Sequence, residues 1–507
     1  MTVDRNGFWV YPDGVRDSPM HLPPELPISE EDWNCTPSAV QALVVSLWQQ
    51  VQVLQAQDEA WQAEVAGLRE RLGQTSRNSS RPPSSDPPHA PPRPKRTPSG
   101  RKRGGQKGHR GHGRRLRPPE EVDRVVVVKA DRCAQCGALL LGEDPQPARH
   151  QVTELPRVKP EVIEYQQHTL TCLACGAQNR GAWPSDMPTG GFGPRVQATV
   201  GYLSGRMGMS QRDVQEMMDT VFHTEMGLGT VPALEQQVSE VLTKPVEEAR
   251  SYQREQSVNN VDETSWREGT QRTWLWIDTT PQVTVFWLLP GRGAAQAKQV
   301  LGEGFAGIVG SDRYSAYNWL EPKRRAVCWA HLERDFQALV DRGGDSAQVG
   351  QALLEQSGHM FELWYQVKNG TLSRANFQAQ MEPVRARVRE LLCGGTTATH
   401  DKTRRTCENI LKLEEALWTF VYVEGVEPTN NDAERPLRRP VLWRRRSFGT
   451  QSEAGSRFVE RVLTTVTTLR QQDRDVLDYL TEACTAAICG EPPPSLLPIP
   501  PPVSALA

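Results

Sequence analysis

The spacing of apolar positions changes along the chain, and each change predicts a different kind of element. From Val40 the apolar residues recur in alternating steps of four and three, which puts Val40, Val44, Leu47, Val51, Leu54, Trp61, Val65, Leu68 and Leu72 on one seam, with a polar slot at Asp58. This heptad pattern predicts a coiled coil over residues 35–75; the alternative is an amphipathic helix packed on its own domain. Residues 1–34 form a polar, Pro-containing leader without a period. Residues 122–186 predict short strands and turns, and 190–252 predict helices, with a Gly-containing turn that suits either a helix-turn-helix or a plain spacer. From residue 257 the pattern becomes that of strands: NNVDET, RTWLWIDTT, QVTVFWLLPG, GIVGSDRYSAY and RRAVCWAHL are short runs rich in Val, Ile, Trp and Tyr. The second and third predict a hairpin. Helical spacing returns over 341–422, and a final helix is expected over about 453–489, before a Pro-rich end with no folded signal. The fold class is therefore mixed α+β.

Composition adds the scale and the partners. A chain of 507 residues, 37% hydrophobic, is long enough for two to four domains. Its formal net charge of −2 conceals a local asymmetry. Residues 76–118 are rich in Ser, Pro and Gly and predict a flexible linker. The second half of that linker carries Arg93, Lys95, Arg96, Arg101, Lys102, Arg103, Lys107, Arg110, Arg114, Arg115 and Arg117 with no acid among them. Such a run attracts phosphate backbones, the alternative being a solubilising tail. No run of about 18 apolar residues is present, and the first 30 residues lack the apolar segment of a signal peptide. A soluble, cytoplasmic protein is expected, and its ten cysteines fit a reducing compartment better than a disulfide scaffold.

Four of those cysteines fall in matching knuckles, Cys133-Ala-Gln-Cys136-Gly and Cys172-Leu-Ala-Cys175-Gly. Four thiolates suit tetrahedral Zn²⁺, the alternative being a chance pattern or a redox site, and the long interval between the pairs predicts a zinc ribbon with strands between the knuckles. With no open ligand position, that zinc is expected to be structural. A second constellation is acidic. Asp262 and Asp312 are expected at strand termini, and Glu434, in PTNNDAERPLRRPVLWRRR, in the first turns of a helix. Two Asp and one Glu converging there can hold two Mg²⁺ or Mn²⁺ ions for phosphodiester chemistry. Asp278 and Asp432 compete for these roles on spacing alone. Arg435, Arg438, Arg439, Arg444, Arg445 and Arg446 follow Glu434 and can grip phosphates, unless they form only a solvated helix face. His331 and Asp335 share a helical face and are candidates for DNA positioning or for support of the metal site, the alternative being a structural pairing. Cys328 is expected in a strand, as a buried small hydrophobe.

These motifs, in this order, resemble the DDE-superfamily transposases of IS66-type bacterial insertion sequences. The resemblance spans the helical start, SRNSSRPPSSD, GGQKGHRGHGRR, the two CxxCG pairs, VDET, SDRYSAYN, CWAHLERDF and TNNDAERPLR. It implies an RNase H-like catalytic core whose triad is Asp262, Asp312 and Glu434, with a helical insertion between the second and third acids. It further implies DNA as partner, at the element's ends and at the target, with small accessory proteins of the element as possible helpers.

The organisation expected is a leader (1–34), coiled coil (35–75), basic linker (76–118), zinc ribbon (119–188), helical DNA-binding or spacer region (189–256), core (257–340), helical insertion (341–425), second core segment with the Glu helix (426–489) and a disordered Pro-rich tail (490–507). The function expected is a dimeric or larger transposase that binds terminal inverted repeats and cuts and joins DNA on the nucleoid. The alternative is a non-catalytic zinc-dependent DNA-binding protein or an inactive remnant.

Overall fold

The computed structural model describes residues 2–3, 9–10, 21–23, 26–79, 86 and 115–498. The chain divides into two compact units, Met1–Ala90 and Pro91–Ala507. In the first, strands β1 (Thr2–Val3) and β2 (Trp9–Val10) pair antiparallel. Helix α1 (Glu30–Cys35) starts where the Ser29 hydroxyl accepts the Asp32 N–H at 3.1 Å. Helix α2 (Ser38–Leu72) then runs unbroken for 35 residues. Its heptad seam faces water: Leu47 is 51% exposed, Leu54 62% and Trp61 65%.

The second unit opens on the cysteine knuckles. Strands β3 (Thr169–Thr171) and β4 (Gln178–Arg180) form an antiparallel hairpin around the second knuckle, and an isolated bridge joins Arg132 to Leu139 around the first. Of the expected strands between the knuckles, only β3, directly before Cys172, forms among the described residues. Pro145, Pro147, Pro156 and Pro160 interrupt that interval, and each removes a donor that a ladder would need. Helices α3 (Pro194–Tyr202), α4 (Gln211–Thr220), α5 (Thr230–Val241) and α6 (Thr243–Arg254) follow.

Five strands build the central sheet: β5 (Val258–Glu268), β6 (Gln271–Thr279), β7 (Thr284–Leu289), β8 (Ile308–Ser311) and β9 (Arg325–Val327), with helix α7 (Ala294–Leu301) between β7 and β8. The order is β7-β6-β5-β8-β9. The first three are antiparallel neighbours, β6 and β7 making the expected hairpin, whereas β8 lies parallel to β5 and β9 parallel to β8. Gly310 sits opposite Asn260, and a Cβ there would meet the Asn260 side-chain oxygen, so a larger residue would require the Asn260 side chain to move.

Helix α8 (Trp329–Arg342) leaves β9 and is followed by α9 (Gly344–Lys368), α10 (Arg374–Gly395), α11 (Asp401–Leu411), α12 (Glu414–Leu417) and α13 (Thr419–Tyr422). Their core, around Trp364, Phe377, Trp418 and Phe420, is continuous with Val327, Trp329 and Phe336. The chain then returns to the sheet through α14 (Asn431–Ser447), α15 (Glu453–Gln471) and α16 (Val476–Cys489). One sheet face packs Val261, Trp276 and Val285 against Val246, Val462 and Leu480, and the other packs Leu275, Ile277 and Phe286 against Ala433 and Leu437 of α14.

Helix α15 straddles the β7 edge. Thr464 and Thr468 hydroxyls accept the N–H groups of Phe286 and Thr284 at 3.0 Å each, and the Glu460 carboxylate accepts that of Leu288. The spacing explains the fit: four helical residues rise about 6 Å, close to the roughly 6.6 Å of two strand residues. The exposed edge is thereby satisfied by side chains.

Two expectations at the C-terminal end are corrected. The single helix over 453–489 is two helices, because Asp473 takes a φ of 55° and Asp475 caps α16 by accepting the Asp478 N–H at 2.8 Å. The Pro-rich end is ordered through residue 498: Leu496 is fully buried, and Tyr479 donates its hydroxyl to the Pro494 carbonyl at 2.6 Å. No helix among the described residues is long and apolar enough to cross a membrane.

Candidate active site

The site forms where β5 and β8 part. Their last registered pair is Asn260 with Gly310, so Asp262 and Asp312 each stand two residues further along parallel strands. Asp312 follows the end of β8 as expected, but Asp262 lies inside an 11-residue strand and not at its terminus. The strand continues because β6 pairs with it as far as Glu268. Beyond Asn260 only the β8 side of β5 is unpaired.

Helix α14 fills that gap from above. Asn430, buried just before the helix, donates its side-chain amide to the Val261 carbonyl at 2.7 Å, and its backbone N–H to Cys328 Sγ at 3.2 Å. At the other end, Thr450 and Arg267 bond through their backbones at 2.9 Å, and Arg444 Nη1 donates to Thr264 Oγ1 at 3.1 Å. The helix is thus tethered along β5, and Glu434, one turn in, comes beside Asp262, one residue past Val261. Packing of Trp443 edge-on to Trp266, with centroids 6.5 Å apart, fixes its rotation.

Burial, then Glu263, Asp312 and Glu434, push the Asp262 carboxyl well above its usual range. Three neighbouring carboxyl groups therefore bear on one partly buried acid and disfavour its charged form. Asp312 is held in place: its side chain accepts the Tyr314 N–H at 2.9 Å, and the buried Arg325 donates to its carbonyl at 3.2 Å. Asp278 belongs elsewhere. It pairs with Val261 and Asp262 pairs with Ile277, so Asp278 projects from the opposite face of the sheet. Asp432 is exposed and stands 3.6 Å from Arg435.

The tightest grouping of candidate ligands among the described residues is Cys328, His331 and Glu434, whose ligand atoms lie within 4.8 Å of one another. The two aspartates stand outside it. His331 Nδ1 is 3.7 Å from Glu434 Oε1, and neither atom has a hydrogen-bond partner although both are buried. Such orphaned polar atoms fit a site built for a cation. Cys328 is buried as expected but caps α8 instead of lying in a strand. Asp335 accepts from Arg313 Nε at 3.0 Å, in an ion pair.

Sequence reasoning missed Glu263 and Asn430. Glu263 is buried, accepting from Arg292 Nε and from the Tyr317 hydroxyl, both at 2.7 Å. Its position next to Asp262 was the available signal; its partners lie too far along the chain to be read from spacing.

Arg435 and Arg438 are exposed on α14. Arg439 donates to the Arg206 carbonyl at 2.6 Å. Arg444 Nη1 donates to the Thr264 and Ser265 hydroxyls of β5, at 3.1 and 2.8 Å. Arg115 is exposed, whereas Arg101, Lys102, Arg103, Lys107, Arg110 and Arg114 lie outside the described residues.

Each cysteine knuckle is formed. Cys133 and Cys172 accept the N–H groups of Gly137 and Gly176 at their carbonyls, at 2.9 and 2.8 Å, and both glycines take a φ near 70°, at 73° and 74°. Backbone N–H groups of Cys136 and Gln135 lower the Cys133 thiol, and those of Cys175 and Ala174 lower Cys172. Preorganised donors to sulfur favour the thiolate that zinc requires, so the pairs fit the metal. No three of these four sulfurs lie within 4.8 Å of one another.

Residues 190–457 match the transposase IS66 family, and residues 130–176 match the zinc-finger binding domain of transposase IS66. Residues 31–115 match a family of unknown function. Two uncharacterized proteins of Sinorhizobium fredii (strain NBRC 101917 / NGR234) are similar. One, y4qI, is 30% identical over 249 residues, 44% of this chain and 45% of its own length; the other, y4hP, is 24% identical over 402 residues, 71% of each. The chain thus aligns with under half of y4qI.

Proposed function

Because the chain belongs to the IS66 family of transposases, we propose that it cuts and joins DNA at the terminal inverted repeats of a bacterial insertion sequence, in the cytoplasm on nucleoid DNA. The family supports a DDE-type nuclease, and its zinc-finger domain supports structural zinc and DNA binding. Three antiparallel strands followed by two parallel ones support an RNase H-like core, with residues 344–422 as an insertion between the second and third acids.

The observation that carries the reading is the placement of Asp262 and Asp312 two residues beyond the last pair of the parallel strands β5 and β8, beneath the α14 helix that carries Glu434 and is tied to β5 by Asn430. Asp262, Asp312 and Glu434 would hold divalent cations, Mg²⁺ or Mn²⁺. Bound there, the cations supply Lewis-acid stabilisation of the charge developing on the reacting phosphate. The chain supplies the rest. Asn430 and Thr450 hold α14 in place, and Arg435, Arg438 and Arg439 present cations to the phosphates of the transposon end. The basic run through Arg115 binds backbone nonspecifically. Hydrolysis breaks one P–O bond and forms another, leaving a 3′-hydroxyl, which then displaces a 3′-oxygen in target DNA. Bond types balance in both steps, so no nucleotide cofactor is required.

The test uses supercoiled plasmid carrying the element's ends, with Mg²⁺. Glu434→Gln keeps the shape of the side chain and removes its charge, and nicking is expected to fall by about a hundredfold or more. Equal nicking by both proteins assigns these acids to the fold and leaves a non-catalytic DNA-binding protein.

A further inference from the structure

We propose that Cys328, His331 and Glu434 form a mixed-donor site for a thiophilic divalent cation, zinc by preference, whose occupancy takes Glu434 away from the two aspartates and restrains DNA cleavage. The binding stands on geometry alone; the restraint rests on the transposase reading.

The three residues come from two elements that the fold locks together. Cys328 caps α8 and His331 sits in its first turn, while Glu434 arrives on α14. The Asn430 N–H ties Cys328 Sγ to the start of α14 at 3.2 Å, and the Trp329 N–H donates to the Pro428 carbonyl at 2.8 Å. His331 Nδ1 and Glu434 Oε1, 3.7 Å apart and each without a hydrogen-bond partner, face one another. Donors about 2.0–2.3 Å from a tetrahedral ion stand roughly 3.3–3.8 Å apart, so this pair already has the required separation. All three ligand atoms lie within 4.8 Å of one another, a spread that side-chain rotation can close.

The donor set decides which ion enters. Thiolate and imidazole select zinc over magnesium, whereas an all-carboxylate site accepts magnesium. The Asn430 N–H donates to Cys328 Sγ at 3.2 Å, a contact that favours the thiolate once a cation enters. Zinc held by three protein donors keeps a fourth position open, unlike the closed four-thiolate arrangement of the knuckles. A carboxylate engaged by zinc beside His331 is withdrawn from the ions that Asp262 and Asp312 would hold.

Cobalt(II) is the probe, read on the full chain by ions bound per chain and by thiolate-to-metal absorption. The wild type is expected to take up an additional ion relative to Cys328→Ser and to His331→Asn, while Cys133→Ser loses the knuckle ion and keeps this one. His331 is only partly buried, so its variant, checked by circular dichroism, serves if Cys328→Ser does not fold. Equal uptake and equal spectra in the wild type and His331→Asn overturn the site. Zinc added to the plasmid assay in the presence of excess Mg²⁺ should lower wild-type nicking by about tenfold and that of His331→Asn by less than about twofold, each relative to its own zinc-free rate. Equal suppression overturns the restraint. If the wild type fails to nick in Mg²⁺ alone, the transposase reading fails, and the cobalt count still decides the site.

Discussion

Asp262 and Asp278 differ by a single step of strand register, and that step separates a candidate ligand from a core acid. Asp278 is buried on the far face, accepting from Asn259 Nδ2 at 2.9 and 3.1 Å, and burial raises its carboxyl to about 8. An unfolded Asp titrates near 4, so between about pH 4 and pH 8 the folded protein holds a proton that the unfolded chain has released. Stability conferred by this group is complete below pH 4 and is lost as pH rises toward 8, by up to about 1.4 kcal/mol per pH unit. Asp278→Asn imitates the protonated form. Denaturant melts between pH 6 and pH 8 should show a shallower loss of stability for the variant than for the wild type, and parallel slopes would remove the assignment. The sequence named Asp262, Asp312 and Glu434 from residue type and motif. It left Asp278 open because two acids at the ends of apolar runs look alike until pairing assigns them to faces.

Elements were legible where their period was long and lost where a side chain ended or braced them. The strand runs and the hairpin of β6 and β7 followed from alternation and turn residues. The division of the last helix did not, since it depends on one residue, Asp473, adopting a left-handed backbone. Nor could spacing reveal that α15 seals the β7 edge, because Thr464 and Thr468 read as ordinary helical threonines. Thr464→Val retains the shape but leaves the buried Phe286 N–H without an acceptor. The expected cost is about 1–3 kcal/mol, seen as a lower urea midpoint with an unchanged slope. An unchanged midpoint would mean that the edge is satisfied in another way. The order found in residues 491–498 likewise depends on distant partners, Tyr479 and the core pocket of Leu496.

At the scale of the whole molecule, the first unit keeps a long helix with an apolar seam in water. Exposed apolar stripes of this kind mark association surfaces, and the heptad spacing suits a second copy of the same helix. Replacing Leu47 and Leu54 together by Glu should reduce the oligomeric state measured by light scattering while zinc content stays constant. An unchanged mass would assign the seam to another role. The heptad was visible in sequence because it is local, whereas the placement of Asp262, Asp312 and Glu434 on β5, just after β8 and on α14 required the complete sheet.

The covering of β7 by α15 also separates two ways in which a copy of this gene can decay. A missense change at Glu434 leaves the β7 edge covered, and on the proposed transposase reading its expected product is a stable chain that occupies DNA without cutting it. A stop codon before residue 453 strips three backbone donors of their acceptors and bares the β7 edge to other chains. Shortened products should therefore be lost to aggregation or proteolysis, whereas full-length point variants should persist.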